Sequence, residues 1–185
     1  MSNIALPATV DSSPVASRPL LEGVGKMLGR VPNLFRMVGN SPAALEGYLG
    51  LNAALAKGKL DVKTRERIAL AVAEINGCDY CLSAHSYLGK ALAKLDDAEI
   101  LANRRGESGD ARADAAVRLA AKIAAGRGHL EAQDLRAARA AGFDDAELVE
   151  IVTHVALNTL TNYVNNVAGT EIDFPAVAPA VRNAA

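Results

Sequence analysis

Tryptophan is absent, and only seven of the 185 residues are aromatic, four tyrosines and three phenylalanines. A β-sandwich fills its core with aromatic and β-branched side chains, so this composition suits it poorly. No window approaches the roughly eighteen uninterrupted apolar residues of a membrane-spanning helix. Neither sign of charge is in excess: the net charge is −1 with 22% charged residues. There is therefore no electrostatic footprint for nucleic acid or for an anionic membrane surface. Between Met1 and Ser17 there is no basic segment followed by an apolar one, so no signal peptide is expected and the expected compartment is the cytoplasm. No glycine-rich fingerprint follows a strand, and neither a nicotinamide nor a flavin site, nor any other bound cofactor, is expected. Cysteine is scarce as well, with two in the chain. In a cytoplasmic protein a lone pair of cysteines is more often catalytic or metal-binding than a structural staple.

What the chain has in quantity is alanine, 37 residues of it, which suits closely packed helices. The expected fold class is all-α, a compact helical bundle in a single domain. Residues 1–18, with Pro7, Ser12, Ser13 and Pro14, read as a flexible or partner-bound arm. Residues 19–170 read as the helical domain. Its expected helices run over Leu20–Leu28, closed by Gly29, then Asn33–Val38, then Pro42–Lys57 after a Ser41 cap, and Val62–Ile75 after an Asp61 cap. The helix that carries the cysteines follows. Further starts lie at Asp96-Asp97, Asp110, Glu131 and Asp144, where first-turn carboxylates match the helix dipole. Met27 and Met37, among apolar neighbours, read as core, and His129 as a surface residue. The proline-broken tail, 171–185, is a candidate to pack on a neighbouring subunit.

The chemistry concentrates in Asn76-Gly77-Cys78-Asp79-Tyr80-Cys81-Leu82-Ser83-Ala84-His85. On a helix, positions i, i+3 and i+7 share one face, so Cys78, Cys81 and His85 form one stripe. Asn76-Gly77 is a break-and-restart signal that sets Cys78 at a helix N-terminus, where the dipole favours a thiolate. His85 stands one turn below Cys81 and could exchange a proton with it. Two thiols so close can also form a disulfide without a large backbone movement. On the preceding helix Glu66 projects inside the apolar arc that contains Val62, Ile68, Ala69, Leu70, Val72, Ala73 and Ile75. Glu74 projects outside it. A carboxylate in such an arc needs a partner, and a nearby imidazole is a natural one. A surface pair between Glu66 and Lys63 is the alternative.

Glu66, Cys78, Cys81 and His85, at this spacing, resemble the motif of the alkylhydroperoxidase D-like proteins of the carboxymuconolactone decarboxylase superfamily. The resemblance is close from Glu66 to His85, and extends more softly to the helical frame and to Gly169-Thr-Glu-Ile-Asp-Phe-Pro175. It implies a thiol-dependent peroxidase of the alkyl hydroperoxide reductase type. Cys81 would be peroxidatic, Cys78 resolving, and Glu66 with His85 a proton relay. It also implies a homo-oligomer, trimer or hexamer, and an external dithiol reductant, lipoyl-bearing or thioredoxin-like, acting after a hydroperoxide substrate. Tyr80 stands where some relatives have a second histidine; its hydroxyl could still donate a hydrogen bond, but it is a poor base at neutral pH. From the residues alone, either sulfur could be the attacker: Cys78 is nearer the helix end, Cys81 nearer His85.

Two other functions fit the same residues. Cys78, Cys81 and His85, with Glu66 or His154 as a fourth ligand, could bind a metal, although a second CxxC is missing. A non-catalytic, redox-sensing helical oligomer is the other. Attachment of c-type haem is excluded, because Leu82 rather than histidine follows Cys81. Finally, His154, Asn158, Thr161 and Asn165, with Asn162 at the edge, make a polar stripe along the last helix. It must face something polar, either the site, the interior or a subunit interface.

Overall fold

A computed structural model describes residues 2–180, and among them the regular structure is helical throughout. After a short 3-10 turn at Val15–Ser17 come α1 (Arg18–Leu28), α2 (Asn33–Val38), α3 (Pro42–Leu55), α4 (Val62–Ile75) and α5 (Asp79–Ala91). Then follow α6 (Asp97–Arg104), α7 (Ala111–Ala125), α8 (Ala132–Ala140) and α9 (Asp145–Ala168). The starts are chemically marked. Ser41, Asp61, Asp96, Asp110 and Asp144 each accept a hydrogen bond from the backbone N–H three residues on, satisfying a donor that the first helical turn leaves open.

Helix α4 is the centre of the bundle and packs against α5, α6, α7 and α9. Its Ile68, Ala69, Leu70, Ala71, Val72 and Ala73 are all buried. Ile68 and Val72 join one apolar cluster with Leu119, Ile123, Phe143, Ile151 and Val155. On the other side Ala73 joins a cluster with Leu21, Leu34, Leu45, Tyr48, Leu82 and Leu157, and both cysteines belong to that cluster. The thiols thus sit inside apolar core.

Both chain ends lie against this body. Where the sequence suggests a mobile or partner-bound arm, residues 2–17 run along their own chain. Asn3 donates its backbone N–H to Ala168 O at 2.6 Å, Arg36 and Asn40 donate to the Ala8 and Ala5 carbonyls, and Ser17 is fully buried with its hydroxyl on Gly39 O. Composition hides this because the arm is held by scattered hydrogen bonds, many of them from its backbone, rather than by an apolar stripe. Tail residues 171–180 also cross their own chain. Asp173 accepts from the Tyr80 hydroxyl and forms an ion pair with Arg30, and Val177 N–H donates to Ser83 Oγ. Residues 181–185 of the expected tail lie outside the described residues. One core assignment is corrected: Met37 is buried, but Met27, in the last turn of α1, is 70% exposed.

Glu99 shows a first-turn carboxylate doing more than complementing a dipole. It accepts from Arg67 of α4, from Asn103, from the Ser108 hydroxyl and from Gly109 N–H, tying α6 and the following loop to the central helix. Burial alone would raise its pKa, but these donors bring it down to about 2. A depressed carboxylate stabilises the fold above its ordinary pKa and loses that contribution as pH falls through the folded value. Glu99→Gln is therefore expected to lower stability at neutral pH and to flatten the loss of stability between about pH 4.5 and 2, as read by urea unfolding across that range.

Candidate functional site

The position of the two sulfurs is set by the way α4 ends and α5 begins. Gly77 adopts φ of +60°, the left-handed conformation that a helix C-terminus often requires and that glycine reaches without strain. Around it, Gly77 N–H donates to Glu74 O at 3.1 Å and Cys78 N–H to Ala73 O at 3.0 Å, the two bonds of a Schellman motif. Cys78 then caps the next helix at once: its Sγ accepts the Cys81 N–H at 3.3 Å, and its carbonyl accepts Leu82 N–H. One residue closes α4 and opens α5. Both thiols are free, and Cys78 and Cys81 retain 0% and 2% of their exposure.

Across the α4–α5 contact, His85 Nδ1 lies 2.9 Å from Glu66 Oε2. Glu66 therefore has an imidazole as its partner rather than Lys63, and Glu74, on the outer face, pairs with Arg104. The Glu66 and His85 side chains keep 14% and 21% exposure, so water reaches this pair although it scarcely reaches Cys81. Burial disfavours a charged imidazole, but the Glu66 charge and hydrogen bond outweigh it, with Cys81 adding to them, and the His85 pKa is raised. With Nδ1 held by the carboxylate, Nε2 is the nitrogen able to exchange a proton with sulfur.

The sulfurs are pushed in opposite directions. Burial works against a Cys81 thiolate, yet the Cys78 thiol, the His85 charge and the side-chain amides of Asn165 and Asn162 together bring Cys81 down to about 7. Cys78 is pushed well up, first because its own proton is committed to Cys81 and then by burial. A site that needs one anionic sulfur and one protonated sulfur beside it has that arrangement here.

The remaining residues singled out in the sequence occupy different places. The Tyr80 hydroxyl accepts from Leu34 N–H at 3.1 Å and donates to Asp173 at 2.8 Å, so its hydrogen-bonding capacity is taken up by α2 and the tail. His154 is buried, with Nε2 unpartnered among the described residues, and burial with the nearby Arg65 charge pushes its pKa down to about 4. It is a neutral imidazole inside the bundle. Of the α9 stripe, Asn165 reaches the site, its Nδ2 lying 3.3 Å from Cys81 Sγ. Sequence reasoning missed Tyr48 of α3, a buried phenol in the cysteine cluster whose pKa is raised by burial and by the Cys81 and Glu66 charges. No spacing rule connects it to the motif, since it lies outside the α4–α5 hairpin. Among the described residues no three histidine, cysteine, aspartate or glutamate side chains are grouped to hold a metal ion, and no helix is long and apolar enough to cross a membrane.

The asymmetry can be checked by alkylation with residue assignment by mass spectrometry. Cys81 is expected to react with a midpoint near pH 7, below that of an ordinary thiol, and Cys78 to stay unreactive until far more alkaline pH. In Glu66→Gln the charge that raises His85 is gone, so the Cys81 midpoint is expected to move upward. Equal midpoints for both cysteines would contradict this.

Comparison with known proteins follows the same residues. Positions 42–122 match the model of the carboxymuconolactone decarboxylase family. A 46-residue segment is 54% identical to a protein of Haemophilus influenzae; it covers 24% of this chain and 41% of that relative. Across the whole chain, the alkylhydroperoxidase AhpD core structure of a peroxidase-related protein from Ralstonia eutropha is 25% identical with a TM-score of 0.81, covering 93% of this chain and 92% of that one. A peroxidase-related protein from Silicibacter sp. TM1040 is 26% identical with a TM-score of 0.78, covering 92% and 91%. The apo debrominase Bmp8, at 19% identity, a TM-score of 0.77 and 92% coverage of each chain, shares the fold. The central helices thus match the carboxymuconolactone decarboxylase family model over less than half of the chain, and the helical frame as a whole is similar to the alkylhydroperoxidase AhpD core and peroxidase-related structures.

Proposed function

We propose that the protein is a dithiol-dependent peroxidase acting on hydroperoxides. The observation that carries this reading is a pair of free, buried thiols one helical turn apart, joined by the Cys81 N–H to Cys78 Sγ contact, beside a hydrogen-bonded glutamate–histidine pair that water can reach; these neighbours lower the Cys81 pKa and raise that of Cys78. The peroxidase-related structures that it resembles support it. The Cys81 thiolate attacks the terminal oxygen of ROOH. The S–O bond forms as the O–O bond breaks, and the departing alkoxide takes a proton from His85, leaving ROH and Cys81 sulfenic acid. Cys78 then attacks that sulfur, and water leaves as the Cys78–Cys81 disulfide closes. An external dithiol, carried by a thioredoxin-like or lipoyl-bearing protein, supplies the two electrons that restore both thiols. The protein binds no cofactor of its own in this scheme. Glu66 raises the His85 pKa and so favours the charged ring for the protonation step, and the proton His85 gives to the alkoxide is restored from water that reaches the pair.

Self-association as a trimer or hexamer belongs to the same reading. Along the outer side of α9, Val149, Val152, Leu160, Tyr163 and Val167 are exposed at helical spacing, an apolar row suited to a further copy of the chain.

The test is peroxide consumption with dithiothreitol. Cys81→Ser is expected to abolish turnover, and Cys78→Ser to allow one oxidation and then stop. Glu66→Gln and His85→Asn are expected to lower kcat/KM by about a hundredfold or more, the usual size of a lost general acid or base. Full turnover in Cys81→Ser would overturn the proposal.

A further inference from the structure

The α9 stripe has a feature that fold stability does not explain. Asn165 spends its amide nitrogen on a sulfur, 3.3 Å away, while its Oδ1 is buried with no hydrogen-bond partner among the described residues. Asn162, one turn earlier and fully buried, is the reverse case. Its Oδ1 accepts from Asn76 Nδ2 at 2.9 Å and its own Nδ2 has no partner. A buried amide with one end unsatisfied is costly, and a neutral N–H···S contact offsets little of that cost. A hydrogen bond to a charged acceptor is much stronger. Two amide nitrogens brought to one face of α9 beside Cys81 make physical sense if the sulfur they face is an anion.

We propose that the side-chain amides of Asn165 and Asn162 form a thiolate cradle: catalytic groups of α9 that hold the Cys81 sulfur as an anion and leave Cys78 as the resolving thiol. The inference rests on Cys81 being the attacking sulfur, as proposed above. Selection between the sulfurs follows from which donors each one meets. Cys78 Sγ receives the backbone N–H of Cys81, with the Asp79 carboxylate disfavouring its charge, whereas Cys81 meets the α9 amides. Asn76 is a positioning residue. It holds the Asn162 carbonyl, so the amide nitrogen points away, and its own carbonyl is held by Asn166 Nδ2 at 2.9 Å. The loop that presents the cysteines is thereby clasped to α9 at both ends of one side chain-to-backbone pair. The titratable groups around Cys81 come from elsewhere: Cys78 from the loop, His85 and Tyr80 from its own helix, Tyr48 from α3, and Glu66 of α4 through His85. From α9 it meets the two uncharged amides, so their contribution can be separated from the charges.

The test uses the full-length protein and no peroxide. In Asn165→Leu, which keeps the branched heavy-atom skeleton and removes both polar atoms, the midpoint of Cys81 alkylation is expected to rise by about one to two pH units, the loss of one hydrogen bond to an ion. Asn165→Asp, which replaces the donor by an anion, is expected to raise it further. Asn76→Ala is expected to give a smaller rise, with Cys78, which is raised by its contact with Cys81, remaining the later of the two to react. Unmoved Cys81 midpoints in variants with a wild-type circular dichroism spectrum would overturn the cradle. A measurement on the wild type stands if the variants fail to fold: the Asn165 side-chain amide resonance is expected to titrate with the Cys81 midpoint, and an amide that ignores that titration overturns the proposal. Peroxide turnover with unmoved midpoints would sink the cradle alone. Shifted midpoints in a protein that leaves peroxide untouched would support the cradle and sink the proposed function alone.

Discussion

A carboxylate meeting an imidazole across two helices is the contact from which the site is built. Glu66 lies within the apolar arc of the central helix, where an unpartnered charge would be expensive. His85 supplies the partner at 2.9 Å, and the exchange has a consequence on the other side of the ring. The carboxylate raises the His85 pKa and so favours the charged ring beside the Cys81 sulfur, and a cation is what an anionic sulfur inside an apolar cluster requires. The pair sits where water can reach it, whereas the sulfur does not. Proton traffic can therefore run through the glutamate and histidine without wetting the thiols.

The backbone between α4 and α5 does the complementary work of holding two sulfurs in register. Because Cys78 both ends one helix and caps the next, its side chain has little freedom to leave Cys81. The left-handed Gly77 makes that compression possible without a longer loop. From the far side α9 presses its polar stripe on the same place, through Asn162 to Asn76 and through Asn165 to Cys81. The tail covers a different face of α5, through Tyr80 and Ser83. The cysteine helix is thus gripped from several directions, which suits a centre whose chemistry depends on tenths of an ångström.

Much of this is legible in the chain because it depends on local rules. Asp61, Asp96, Asp110 and Asp144 announce their helices by side-chain capping, and Asn33–Val38 and Val62–Ile75 can be bounded from periodicity and caps alone. The inward direction of Glu66 follows from its angular position beside Val62 and Ala73 in the apolar arc. What depends on tertiary packing is not legible. Tyr48 joins the cysteine cluster from α3, with no fixed spacing to the motif. The α9 stripe announces a polar neighbour, but its sequence does not say that Asn165 meets a sulfur while His154 meets none. Met27 reads as core from its neighbours in sequence, yet it is exposed in the last turn of α1, where no other element among the described residues packs over it in the way Leu21 and Val24 are covered. The N-terminal arm, held by scattered hydrogen bonds, many of them from its backbone, has no periodic side-chain pattern to reveal it.

The central claim is that Cys81, made anionic by the glutamate–histidine pair, is the sulfur that peroxide oxidises. The most direct measurement is trapping of the sulfenic acid with dimedone, followed by mass spectrometry, at neutral pH after one equivalent of hydroperoxide. A stoichiometric adduct on Cys81 in Cys78→Ser, strongly reduced when Glu66→Gln is added, is the expected result. An adduct on Cys78 in Cys81→Ser, with Cys81 left unmodified in Cys78→Ser, would contradict it.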